Sequence, residues 1–394
     1  MCSEYVLLVS AAAVFPSSKA LKILQEIYEP GINPDQLNAA LRKQGHSPEE
    51  IVEVVSQVAL RQRARGKLGS LADSLLLTRQ GLEQASRLEV ARYHARKLGR
   101  LGSVTDLGCG LGVDSIAFAQ SGLGVEAVES DKNTAKFATS NLDGFTKAKV
   151  HVGTAEEFEI KTEAVFLDPA RRDLAASGRS RKLLGPKDFS PSIDFALEVI
   201  SQTPGGVKLA PGLPHELISD KFEAAWVSHK GDLVELSQWS TDTARAGRRY
   251  AVIVDGDSEH EFSGDNFEAD VAPLGEFIYE PDPALIRSHL LGAFAFENQL
   301  GVMSSGIAYL TGREIQSPWI RGFRIVDELQ LNEKELARYF AGRGIGTLEI
   351  KKRGVEIEPE VLRKKLKLKG SGAATLITTK VGGARKALVC EPVR

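Results

Sequence analysis

Apolar residues fall at helical spacing through the first quarter of the chain. Ala20–Tyr28, Pro34–Lys43 and Pro48–Arg65 each carry one apolar stripe, and Gly, Asn and Pro breaks separate them. Gly81–Leu98 reads the same way, with Leu82, Ala85, Leu88 and Ala91 expected on one core-facing side. From about residue 101 the period changes. Short β-rich runs alternate with helical ones: Val104–Leu107, Val113–Gln120, Gly124–Ser130, Asn133–Leu142, Lys149–Val152, Ala164–Leu167, Pro191–Val199 and Gly206–Leu209. That alternation predicts βαβ units and a parallel sheet. Ala224–His229 and Leu233–Trp239, joined by Lys230-Gly231-Asp232, predict a hairpin, and Arg249–Val254 adds a further strand.

Beyond these strands, Tyr279-Glu280-Pro281-Asp282-Pro283 leads into a predicted helix over Ala284–Phe294. A compact α+β pattern closes the chain, with strands at Thr347–Lys351, Ala374–Thr379 and Lys386–Cys390 and a helix at Pro359–Leu366. The expected organisation is a helical region over 1–100, a Rossmann-like α/β domain over 101–274, a linking or pocket region over 275–340 and a small basic α+β domain over 341–394.

Charge changes this picture at one end only. The net charge is −2, so the chain as a whole is no polyanion magnet. Residues 343–394, however, hold thirteen Lys/Arg against five Asp/Glu, which leaves residues 1–342 at −10. Such asymmetry points to a polyanion-binding tail domain, with a solvated basic face as the plain alternative. Three cysteines, Cys2, Cys109 and Cys390, are too few and too scattered for a disulfide framework or a zinc site, so no metal is expected. The apolar start, Tyr5 to Phe15, is short and lacks a basic flank, and no run reaches a membrane span. The expectation is a cytoplasmic protein.

The densest chemistry lies at Val104-Thr105-Asp106-Leu107-Gly108-Cys109-Gly110-Leu111-Gly112-Val113-Asp114. A strand runs into a turn with Gly108, Gly110 and Gly112 at alternate positions, then into a helix. Glycines let a ligand approach the backbone without a Cβ in the way. The spacing is not the dinucleotide G-x-G-x-x-G, and the Gly-Lys-Ser/Thr of a phosphate loop is absent. Asp106 beside the turn suits a cationic sulfonium ligand with an amino-acid tail and is awkward for a pyrophosphate. Roughly 20 residues on, Glu129 ends the second strand, placed to accept hydrogen bonds from ribose hydroxyls, with Asp131 as the alternative. After the third strand, Ala155 and Glu156 can line a base edge through backbone groups.

The fourth strand ends in Asp168-Pro169-Ala170-Arg171-Arg172. Parallel-sheet enzymes place their chemistry at such strand ends, so Asp168 is expected to orient or deprotonate a nucleophile. Arg171 and Arg172 can hold a phosphate or carboxylate bidentately. Lys208 stands on an otherwise apolar strand, where an ammonium is expensive without a partner, and Asp168 on the neighbouring strand is the natural candidate. His215 is a pocket candidate, with a hydrogen-bonded loop histidine as the alternative. Tyr279 is a candidate for the pocket rim, with a turn before a Pro-started helix as the equal alternative.

Taken in order, Thr78–Ser86, Asp106–Asp114, Asp168–Arg172, Lys208–His215, Tyr279–Pro283 and Ile350–Gly354 resemble a bacterial family of class I SAM-dependent methyltransferases with a THUMP-like C-terminal domain. The resemblance covers about residues 70–394. It implies S-adenosyl-L-methionine as cofactor, Asp168 facing the transferred methyl, and RNA as substrate, because THUMP domains elsewhere bind RNA. Lys351, Lys352, Arg353, Lys364, Lys365, Lys367 and Lys369 are then the expected phosphate contacts. Two departures stand out. Thr154 occupies a position where such enzymes often carry Asp, and Ala170-Arg171 replaces the Pro-aromatic pair that stacks a base in amino-methylating nucleic-acid enzymes. Cys109 and Cys390 are poorly placed for pyrimidine C5 chemistry. Three readings follow: methylation of rRNA or tRNA at nitrogen or oxygen, methylation of a small anionic molecule, or a non-catalytic RNA-binding protein with a SAM fold. The acceptor atom and oligomeric state stay open.

Overall fold

The computed structural model describes residues 14–171 and 189–393. The chain opens with helices α1 (Ser18–Ile27), α2 (Pro34–Lys43), α3 (Pro48–Leu68), α4 (Arg79–Gln84) and α5 (Leu88–Leu98). Local chemistry sets where the first three begin. The side chains of Ser17 and Asn33 accept hydrogen bonds from the following turn, and Ser47 and Glu50 form a reciprocal capping box.

The stretch predicted as one helix over 81–98 is two, with Ala85 and Arg87 extended between them. The spacing itself explains the break. Three residues turn an α-helix by about 300°, so Leu82 and Ala91 would stand about 180° apart on a continuous helix. Bending the chain at Ser86 lets Leu82, Leu88 and Ala91 all be buried.

Between α3 and α4, Leu75, Leu76 and Leu77 are buried without belonging to helix or strand. Their peptide groups need partners, and side chains supply them. Gln57 donates to the Leu77 carbonyl at 2.8 Å and accepts from its N–H at 2.9 Å. Arg61 donates to the Leu75 carbonyl at 2.9 Å. Asn141 accepts from the Leu76 N–H at 2.7 Å and donates to its carbonyl at 3.0 Å.

Next come β1 (Ser103–Leu107), α6 (Val113–Gln120), β2 (Gly124–Glu129), α7 (Lys132–Leu142), β3 (Ala148–Val152), β4 (Ala164–Leu167), the short pair β5 (Ala170–Arg171) and β6 (Phe189–Ser190), α8 (Ile193–Gln202) and β7 (Gly205–Leu209). They are followed by β8 (Glu223–His229), β9 (Asp232–Trp239), β10 (Arg249–Asp255) and β11 (Ser258–Ser263). Nine of these strands form one sheet in the order β11-β10-β8-β9-β7-β4-β1-β2-β3. β3, β2, β1, β4 and β7 run parallel, and β9 runs antiparallel to β7. The predicted hairpin turn is made by Lys230 and Gly231, both left-handed, the pair of conformations a two-residue hairpin turn requires. From β1 the chain moves outward to β2 and β3, then crosses to β4 on the other side of β1. That reversal opens a crevice at the carboxyl ends of β1 and β4.

A second sheet contains β12 (Phe277–Pro281), β13 (Gly301–Val302), β14 (Leu310–Gly312), β15 (Ile320–Gln330), β16 (Ile345–Lys352), β17 (Gly372–Val381) and β18 (Ala384–Pro392), ordered β13-β14-β12-β15-β18-β17-β16. Helices α11 (Glu333–Gly342) and α12 (Pro359–Leu366) share a core with it through Leu336, Phe340, Leu348, Leu362 and Leu376. β15 pairs with β18 from Phe323↔Pro392 to Gln330↔Lys386, so this sheet reaches back well ahead of residue 341. The helix predicted over 284–294 is also two, α9 (Pro283–Arg287) and α10 (Leu291–Asn298). His289 between them is left-handed, a conformation that no right-handed helix continues through.

The chain forms two compact units. One comprises residues through Ala224 with Leu236–Gly247 and Val254–Ser258; the other comprises Ala225–Glu235, Arg248–Ile253 and Glu259–Arg394. No helix of the described residues is long and apolar enough to cross a membrane.

Candidate cofactor and active site

The glycine turn leaves β1 at Leu107 and enters α6 at Val113. Gly108, Gly110 and Gly112 are all left-handed, with φ of 92°, 57° and 82°. Side chains with a Cβ pay steric strain there, which is why these positions are glycine. The N–H groups of Gly108 and Cys109 donate to the Val128 carbonyl at 2.9 and 3.0 Å, tying the turn to β2. A Cβ on Gly110 would meet nothing within 4 Å, so that side of the turn has room for a ligand. Leu111 points the other way, inward. A Cβ on Gly81 would lie 2.6 Å from its side chain, so α4 packs on the turn only because residue 81 is glycine.

Glu129 closes the turn from β2. Its carboxylate accepts from the Gly110 N–H at 3.0 Å, the Asp131 N–H at 2.8 Å and the Ser130 hydroxyl at 3.3 Å. An ionised carboxylate offers about four acceptor positions, so capacity remains for a ribose hydroxyl. Asp131, the alternative, caps α7 through the Thr134 N–H and hydroxyl. Val152 pairs in register with Glu129 and is 56% exposed, an apolar surface at a strand end where a base ring could lie. Thr154 donates to Glu157, and Ala155 stands half-buried in the same loop.

Two further carboxyls sit beneath the turn. Asp106 is 1% exposed and accepts from the Ser115 hydroxyl at 2.5 Å. Burial, reinforced by the charge of Asp114, pushes its pKa up to about 8 against the opposing Ser115 bond. Asp106 is thus a buried carboxyl beneath the turn, with its proton held more tightly than usual. Asp114, in the first turn of α6, behaves oppositely. Burial would raise its pKa, but the hydrogen bond and charge of His94, with the charge of Lys208, hold it below the usual carboxylate range. His94 Nδ1 lies 2.7 Å from Asp114 Oδ1.

At the end of β4, Lys208 Nζ meets Asp168 Oδ2 at 2.5 Å, the pairing that the lone lysine on an apolar strand called for. The charge partners of this pair include a residue the sequence pattern did not single out. Lys67, at the end of α3, donates to the carbonyls of Leu82 and Glu83 at 2.8 and 3.0 Å. Burial, then the charges of Lys208 and Arg87, push its pKa down to about 8 against the pull of Asp168 and Asp114. The helical region before β1 thus contributes charge to the crevice.

His215 follows β7 and opens a short 3-10 turn. Arg171 forms half of β5, and Arg172 lies outside the described residues. The remaining candidates belong to the second unit. Tyr279 is buried in β12. Its hydroxyl donates to the Arg313 carbonyl at 2.7 Å and accepts from the Ile315 N–H at 2.9 Å. It fastens a loop to a strand. Lys351 pairs with Glu280 at 2.6 Å, and Lys352 bonds the Ile357 carbonyl and Glu358. Arg353 donates to the Ala308 carbonyl and lies over the Tyr309 ring. All three cations serve internal bonds. Lys364, Lys367 and Lys369 are exposed and carry no ion pair among the described residues.

Comparison with known proteins gives the family. Two proteins from two strains of Mycobacterium tuberculosis, named as uncharacterized S-adenosylmethionine-dependent methyltransferases, are each 32% identical to the chain over 86% of its length and 97% of theirs. The chain belongs to this methyltransferase family. Its cofactor is S-adenosylmethionine. Residues 320–392 match a family described as THUMP domain-like, which spans β15 to β18 with α11 and α12. A crystal structure from Porphyromonas gingivalis, described as a methyltransferase, shares the fold with a TM-score of 0.77. The two are 20% identical, and the match covers 97% of this chain and 100% of that one. The open face of Gly110, the spare acceptor capacity of Glu129 and the exposed Val152 fit the cofactor's amino-acid end, ribose and base in turn.

Proposed function

We propose that this methyltransferase acts on RNA, at a nitrogen or oxygen presented to Asp168. The observation that carries the chemistry is the Lys208–Asp168 pair at the carboxyl end of β4, beside the glycine turn. The cofactor, when bound, supplies an already activated methyl group, so most of the protein's work is positioning. Backbone groups of Gly108–Gly112 would hold its amino-acid end and Glu129 its ribose. Lys208 holds Oδ2 of Asp168 and keeps the carboxylate oriented, and that carboxylate accepts the proton of the acceptor N–H or O–H. The buried Cys109 thiol, its pKa raised well above the usual value by burial, is unsuited to the attack that pyrimidine C5 methylation needs. The THUMP-like match and the exposed Lys364, Lys367 and Lys369 support RNA as the partner.

A small anionic acceptor is the second reading. It draws on Lys67 and Lys208, whose charges both act on Asp168. One experiment separates the two. Nucleosides of total RNA are compared by mass spectrometry between cells carrying the native protein and Asp168→Asn. On the RNA reading one methylated nucleoside disappears, while the variant still binds S-adenosylmethionine in calorimetry. Replacing Lys364, Lys367 and Lys369 by Gln should also flatten the salt dependence of RNA binding, by about 0.7–0.9 in slope for each phosphate no longer neutralised. Unchanged nucleosides with an unchanged slope would transfer the assignment to a small molecule.

A further inference from the structure

We propose that His94 is a positioning residue for the cofactor: by bonding Asp114 in the first turn of α6, it fixes the Gly110-Leu111-Gly112 turn that receives the amino-acid end of S-adenosylmethionine. The inference rests on the cofactor assignment above and adds a residue that precedes the first strand.

His94 is completely buried, and its Nδ1 stands 2.7 Å from Asp114 Oδ1. Against an ionised carboxylate a ring nitrogen can only donate, so Nδ1 carries the proton. The ring is held among aromatic neighbours, with centroids 4.8 Å from Phe166, 5.8 Å from Tyr93 and 5.9 Å from Trp239. It has little freedom to follow Asp114 if that residue moves. Phe166 is itself on β4, one strand residue before Leu167 and the Asp168 corner. His94 therefore references the glycine turn to the strand that carries the reaction site.

Asp114 comes two residues after Gly112, where helix N–H groups lack intrahelical partners and a carboxylate is favoured. It is almost fully buried, and a buried carboxylate that loses its histidine donor is costly. The cheapest escape is for its side chain to swing toward water and disturb the turn. Other charged groups facing the pair include Asp106 from β1, Lys208 from β7 and Lys67 from α3. Helix α5 is anchored at its far end independently of His94. There Lys97 meets the buried Glu223 at 2.6 Å, and Arg245 meets the same carboxylate at 2.6 Å. Losing the His94 donor thus leaves α5 attached while it takes from Asp114 the stronger of the donors, His94 and Ser86, that hold it low.

Two substitutions separate this role from plain core packing. His94→Asn places an amide nitrogen near the position of Nδ1 but leaves the ring space empty. His94→Phe fills the space but has no donor. A packing role ranks Phe above Asn; a positioning role ranks Asn above Phe. The full chain is titrated with S-adenosylmethionine by calorimetry, alongside thermal melting. The expected result is a Kd within about threefold of native for His94→Asn and at least about tenfold weaker for His94→Phe, although His94→Asn melts at the lower temperature. If His94→Phe does not fold, His94→Leu, smaller and equally without a donor, takes its place. Native-like binding by the donorless variant, or the reverse order of affinities, overturns the proposal. A native protein that binds no cofactor overturns the site assignment, and this inference with it.

Discussion

Asp106 and Asp114 lie on the same strand-turn-helix unit, and both are buried, yet their surroundings drive them apart. Asp106 accepts from a hydroxyl, feels the Asp114 charge and is pushed up to about 8, whereas Asp114 is bonded by His94 and stays low. The sign of the consequence follows from the shift. Between the unfolded value near 4 and the folded value near 8, the folded protein holds a proton on Asp106 that the unfolded chain has released. Stability from this group is therefore lost as pH rises through that window. Asp106→Asn, which cannot ionise, should gain in melting temperature relative to native between about pH 5 and pH 8.5; a constant difference would show that Asp106 ionises normally. Several site residues were legible from local pattern alone. The glycine turn announces itself by spacing, Glu129 by its strand end, and Lys208 by the cost of an ammonium on an apolar strand, a cost that Asp168 meets. His94 and Lys67 were not legible, because nothing around either marks it except the fold that carries it to the crevice. Charge counting says nothing of the surroundings of Lys351, Lys352 and Arg353. A tally of basic residues cannot tell a cation facing water from one already bonded to Glu280, Glu358 or the Ala308 carbonyl.

Elements were read best where one face of a sheet or helix dominates. The parallel strands from β1 to β7 and the β8–β9 hairpin follow from period and turn residues. The break at 85–87 was hidden in a three-residue spacing that a single helix cannot keep on one side. The Leu75–Leu77 segment was hidden altogether, since its hydrogen bonds are supplied by side chains of α3 and α7 instead of by a neighbouring strand. Asn141 is the half-buried joint of that arrangement. It serves both peptide groups of Leu76 and also donates to the Leu111 carbonyl at 2.9 Å, within the glycine turn. Asn141→Ala should leave the Leu76 groups unsatisfied at a cost of about 1–3 kcal/mol, measurable in urea denaturation. Hydrogen exchange should rise at residues 75–77 and 111–112 more than elsewhere. A uniform rise along the chain would mean that Asn141 contributes only to global stability.

At the scale of the molecule, the chain passes between its two units more than once. Residues 225–235 and 248–253 belong to the second unit, while 236–247 and 254–258 belong to the first. A boundary at 274, natural from the sequence, therefore does not divide the protein. The fragment 1–274 retains two whole segments and the beginning of a third from a unit it otherwise lacks, and it should melt at a lower temperature than the full chain; equal melting would make the first unit independent. Order of synthesis adds a constraint of its own. Leu76 and Asn141 are 65 residues apart. At roughly 5–20 residues per second, about 3–13 s pass between the appearance of the buried leucine segment and that of the side chain that completes it. For that interval the first helices, although made, have a peptide unit they cannot close over. The leucine segment must wait in water for a residue behind the cofactor turn.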